Sequence, residues 1–116
     1  MKSQPIPRIK LEGVERVVRR DYSETQFDSV MAVLSGYESK RDRSRVLLAT
    51  LKLANGNLNA LRKHIGTALQ DFRDVLTPAE YPEYWRRRSS GLEMAGKERD
   101  RIIDSAWEQY EVWLKR

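Results

Sequence analysis

His64 is the sole histidine of this 116-residue chain, and cysteine is absent. Those two counts remove thiolate catalysis, disulfides and Cys-ligated zinc, and they leave a Ser-His-Asp triad a single possible base. A general base needs an orienting partner and a nucleophile within hydrogen-bond reach. On a helix the neighbours of His64 at three and four positions are Ala60, Leu61, Thr67 and Ala68, of which only Thr67 is polar. His64 reads as a boundary histidine beside an apolar stripe, and no catalytic residue is assigned. Asp71, Asp74 and Glu80 offer a different chemistry, because two aspartates three apart share a helix face and the third acid follows the turn at Pro78. Converging carboxylates can hold Mg²⁺ or Ca²⁺, or divide acid and base roles. Arg73 lies among them and no Glu-x-x-His unit is present, so a solvated face or ion pairs is expected rather than a carboxylate metal enzyme. No metal ligand and no cofactor is assigned.

The stretch Tyr81-Pro82-Glu83-Tyr84-Trp85-Arg86-Arg87-Arg88 is the most distinctive local composition. Aromatic rings beside guanidinium groups suit protein interfaces, and they also suit base stacking next to phosphate contacts. Tyr81, Tyr84, Trp85, Arg86 and Arg87 are therefore the candidate partner-binding residues, the partner being another protein or a second copy of the chain. The competing expectation is that Trp85 closes the end of a bundle while the arginines face water.

Lys and Arg number 22 against 17 Asp and Glu, a net charge of +5. Residues 1–20 carry +4 of it through Lys2, Arg8, Lys10, Arg16, Arg19 and Arg20 against Glu12 and Glu15. A basic N-terminal arm, partly ordered, on a nearly neutral body can attract phosphate-rich partners. Nucleic-acid binding through Arg8, Lys10, Arg19, Arg20 and Arg88 is the alternative function. No apolar run approaches the roughly 20 residues of a membrane span, and Pro5 and Pro7 interrupt the start where an export signal needs a run of about 7–15. A cytoplasmic protein that avoids membranes is expected.

The elements that position these groups are helical. Phe27, Val30, Leu34 and Tyr37 step by 3, 4, 3; Leu58, Leu61, Ile65, Ala68, Phe72 and Val75 continue the same rhythm, as do Ile103, Ala106, Tyr110 and Trp113. Each series lines one helix face. Val46, Leu47, Leu48, Leu51 and Leu53 form a denser helix, apolar on more than one side. Ser23 and Gln26 have capping-box spacing, predicting a helix over 24–35 that stops at a left-handed Gly36. Gly56 and Asn57 separate helices over 39–54 and 58–76. Thr77-Pro78-Ala79-Glu80 predicts a helix start, and Ser90 with Glu93 opens a last helix of up to about 25 residues. An extended lead-in to Ile9 and a short helix over 11–19 complete the reading.

Two resemblances add to it. Gly56-Asn57, Ala60, Leu61, Ile65-Gly66 and Leu69 through Leu76 resemble the helix-turn-helix of Fis-type regulators, which implies a turn at Gly66 and a DNA-reading helix over 68–76. The apolar stripe from Leu58 to Val75 instead predicts one helix continuous through Gly66. Leu53 to Leu58, Arg73-Asp74-Val75-Leu76, Ala79-Glu80-Tyr81-Pro82 and Trp107 to Trp113 are similar to a group of small bacterial proteins with no assigned activity. That likeness implies a bacterial, cytosolic helical protein and no catalysis. The expected architecture is all-α, a compact bundle of four or five helices over residues 21–116, and the expected function is a non-catalytic protein-interaction module.

Overall fold

The computed structural model describes residues 11–38, 42–91 and 95–116. Among them the chain is helical throughout, with seven α-helices instead of four or five and no strand. They are α1 (Leu11–Asp21), α2 (Phe27–Ser35), α3 (Arg43–Ala54), α4 (Leu58–Gln70), α5 (Arg73–Glu80), α6 (Pro82–Ser89) and α7 (Gly96–Lys115), with one 3₁₀ turn over Glu24–Gln26. The higher count arises because the stretch from 58 to 89 is divided into three and because α1, expected as a separate short helix over 11–19, packs into the same core.

The central helix is α3, whose residues Val46 through Leu51 are all buried. A helix apolar all round must be enclosed by others, and α1, α4 and α5 pack around it. Val30 and Leu34 of α2, Leu61, Ile65 and Ala68 of α4, and Val75, Leu76 and Ala79 of α5 complete the core. Val14, Val17 and Val18 of α1 lie in the same core. Residues 14–18 are thus part of the packed body, while Arg8 and Lys10 fall outside the described residues.

Several boundaries differ from the periodicity reading. Ser23 makes no cap bond to a backbone amide; its hydroxyl meets Thr25 and Gln26 side chains, and the chain makes a 3₁₀ turn before α2 begins at Phe27. Gly36 is not left-handed, with φ −63°, because the helix ends by a tighter turn in which Gly36 and Tyr37 donate to Val33 and Leu34. The α3–α4 reversal follows the sequence. Asn55 (φ 50°) and Gly56 (φ 81°) take left-handed backbone, and the Asn57 side chain accepts from the Ala60 amide at 2.9 Å.

The predicted helix over 58–76 passes through Gly66 but ends at Gln70, so the turn expected at Gly66 from the Fis-type resemblance is absent. Asp71 is extended, and its carboxylate accepts from the Arg73 amide at 3.0 Å, stopping one helix and starting the next. Thr77 and Pro78 consequently lie inside α5, and Pro82 takes the first position of α6. The last helix starts at Gly96 and runs for 20 residues, about 30 Å; Glu93 lies outside the described residues.

The C-terminal end of α7 returns to α1. Arg16 donates to the carbonyls of Leu114 (2.8 Å), Lys115 (3.1 Å) and Arg116 (3.2 Å). Arg20 donates to Trp113 (2.6 Å) and lies over the Trp113 ring at 5.1 Å. The last carbonyls of a helix lack intrahelical partners and carry partial negative charge, so two guanidinium groups suit that end. No helix among the described residues is long and apolar enough to cross a membrane.

Candidate functional site

The expected site residues fall on α6 and its two flanks. Helix α6 has no buried residue. Trp85 is 47% exposed, so it does not close the end of the core. It lines a surface concavity of about 540 Å³ with Asp71, Arg73, Asp74, Thr77, Arg88 and Ser89. The start of α5 therefore supplies one wall and α6 the other.

Charges of both signs meet there. Arg73 donates from Nε to Asp71 Oδ1 at 3.0 Å and from Nη2 to Oδ2 at 2.8 Å, which holds the Asp71 carboxyl below the usual carboxylate range. Arg88 donates to the Tyr84 hydroxyl at 3.3 Å and has no carboxylate partner among the described residues. An exposed indole, a guanidinium with no carboxylate partner among the described residues and two carboxylates can stack, donate and accept. A uniform phosphate-binding surface would leave out the carboxylates, which repel phosphate.

The remaining expected residues divide between roles. Arg86 and Arg87 both pair with Glu83, the latter at 2.9 Å, and hold its carboxyl below the usual range; Arg87 also pairs with Glu98 of α7. Arg87 thus ties α6 to α7, and Arg86 lines the groove between the same two helices. Tyr81 packs edge-on against Trp107 with ring centroids 5.7 Å apart, and its burial raises its pKa. It anchors the face from beneath. Of the basic residues weighed for nucleic acid, Arg19 pairs with Glu15 at 2.9 Å and lies 4.2 Å over the Phe27 ring. Arg20 is committed to Asp21 and the end of α7.

The three carboxylates do not converge. Asp71 sits at the head of α5 with Arg73, whereas Glu80 at its far end is fully buried and gripped by Arg45 through Nε–Oε2 at 2.8 Å and Nη2–Oε1 at 2.7 Å. No group of three potential metal ligands occurs among the described residues. Lys52 completes this buried junction: it donates to the Ala79 carbonyl at 2.6 Å and lies 5.2 Å from the Tyr110 ring centre, and desolvation lowers its pKa. His64 is half-buried on α4, with its pKa lowered by burial and by Lys63.

Sequence reasoning missed Arg45 as the partner of Glu80, and it missed the α5 wall of the Trp85 concavity. Arg45 carried a weak signal, the last of four closely spaced bases (Lys40, Arg41, Arg43, Arg45) directly before an apolar run. The α5 wall carried none, since the break at Asp71 that brings Asp74 and Thr77 to Trp85 interrupts an unbroken apolar stripe. No protein-family model matches the sequence, and no curated protein or solved structure is significantly similar to it.

Proposed function

We propose that this chain is a non-catalytic protein-interaction module of the bacterial cytoplasm, and that it grips its partner through α6 and the head of α5. One observation carries the reading: Trp85 stands 47% exposed on a helix with no buried residue, beside a concavity of mixed charge. Exposed tryptophan flanked by arginine and polar groups is the composition of interface centres. Tyr84 and Arg88 frame the indole, Arg86 extends the surface toward α7, and Tyr81 with Arg87 holds the helix in place.

Affinity purification from the native cell tests it. Trp85→Ala combined with Arg86→Ala leaves the melting temperature close to wild type and removes the co-purifying protein. If the partner is first identified, Trp85→Ala alone weakens it by about 2 kcal/mol or more, roughly thirtyfold. Unchanged stability together with an unchanged set of partners defeats the assignment.

Arg88 supports a second reading, because it pairs with no carboxylate among the described residues and lines the same concavity as an exposed indole on which a base can stack. Nucleic-acid binding then depends steeply on salt. Labelled duplex and single strands titrated at about 50 and 200 mM salt separate the two, since counterion release weakens only the nucleic-acid complex steeply. Absence of binding at the lower salt removes it.

A further inference from the structure

The outer face of α7, away from the Trp85 concavity, carries a projection and a recess on one line. Val112 is the projection, 66% exposed. The recess is a groove of about 540 Å³ between α6 and α7, with Ile102, Ala106 and Pro82 as its apolar lining and Arg101, Ser105 and Gln109 among its polar lining. Ile102 and Val112 are ten residues apart, about 15 Å along the helix. Ile102, Ser105, Gln109 and Val112 follow the 3-4-3 spacing of a single stripe. Arg101 flanks the stripe near the recess, and Glu108 and Glu111 flank it on the same side near the projection. None of the three makes an ion pair with a described residue.

We infer that this stripe is the contact surface for a second copy of the chain, paired antiparallel about a two-fold axis. That symmetry reverses the helix direction while keeping flank against flank. Val112 of each copy then meets Ile102 and the recess of the other, Ser105 lies opposite Gln109, and Arg101 lies opposite Glu111 with Glu108 adjacent. Both projections fill both recesses at once, and both charge pairs form at once. A parallel arrangement sets Ile102 against Ile102 and Val112 against Val112, leaves the recess empty, and turns the Arg101 flank of one copy away from the Glu111 flank of the other. Ser105, near the middle of the stripe, is small enough for the helices to approach. The contact is short, which places the dimer in the weak class, with a dissociation constant of roughly 10–100 μM. Trp85 lies outside this contact, so the dimer survives Trp85→Ala, whereas Arg86 lines the recess and is shared by the two surfaces.

Sedimentation equilibrium on the full chain tests the pairing. The apparent mass rises from 13.6 kDa toward twice that value with concentration. Arg101→Glu and Glu111→Arg each weaken association about tenfold or more, and the double exchange recovers it because the opposite charges face again. A variant that had merely lost its fold would not be rescued, and circular dichroism of each variant controls for that. Register is read by crosslinking: the protein lacks cysteine, so Ser105→Cys and Gln109→Cys proteins can be mixed and oxidised. A mixed disulfide forming faster than either homodimer supports the antiparallel register. Monomer only at about 1 mM, failure of the double exchange to rescue, or faster crosslinking of like with like would overturn the inference.

Discussion

Glu80 and Arg45 are the residues whose chemistry is most constrained. The carboxylate is wholly inside, and the guanidinium that pairs with it is one-fifth exposed. Removing one partner leaves the other charge stranded, whereas removing both exchanges a salt bridge for apolar packing at small net cost. Arg45→Met is therefore expected to destabilise by about 3 kcal/mol, and adding Glu80→Met to recover most of that, as measured by urea unfolding. An additive double variant would contradict the coupling. The sequence offered Glu80 as a capping residue at a helix start and as the third acid of a carboxylate cluster, and hid its purpose because its partner lies 35 positions away. Tyrosine provides a second test. Burial, with help from Asp21, pushes Tyr22 from 10.0 up to about 12, and burial raises Tyr110 further. The folded chain keeps these protons where the unfolded chain releases them, so stability is full below pH 10 and falls as pH rises toward 12. Tyrosinate absorbance should show some of the five tyrosines ionising only as the protein unfolds. A single step near the ordinary value for all five would refute this.

Helices were legible wherever an apolar stripe and a cap coincided. Asn57 was readable as a cap because it follows Gly56 and precedes Leu58, and it does bond the Ala60 amide. Asn57→Ala is expected to cost about 1 kcal/mol in chemical denaturation. The break at Asp71 was illegible, since the apolar positions stay in step from Leu58 to Val75 across it. What stops the helix there is a local side-chain bond to the Arg73 amide, which competes with backbone pairing without disturbing hydropathy. Gly66 separates the two readings of this region. It is helical, and nothing lies within 4 Å of where a methyl group would stand. Gly66→Ala should stabilise by about 0.5–1 kcal/mol; a loss of stability would argue for a turn. Gly56→Ala should have the opposite sign, because its φ is +81° and the added carbon would sit 3.1 Å from the Asp21 carbonyl.

At the scale of the molecule, protection should follow burial. The amides of α3, enclosed on every side, should exchange only on global unfolding, while those of α6, with nothing buried, should exchange through local opening. Hydrogen-exchange mass spectrometry orders the two, and equal rates would contradict the division. An all-helical body was visible from period alone. The candidate face was visible only in its α6 half, because composition marks Trp85 and its arginines but not the segment that folds beside them. The far end of α7 depends on Arg20, and Arg20→Ala should cost about 1–2 kcal/mol by loss of its bond to the Trp113 carbonyl and of its stacking. That clasp spans 98 positions between Arg16 and Leu114. At about 5–20 residues per second of translation, α1 emerges roughly 5–20 s before the strand of chain it must hold. A nascent chain accordingly has time to collapse around α3 first, leaving those two arginines to fasten α7 onto a core already formed.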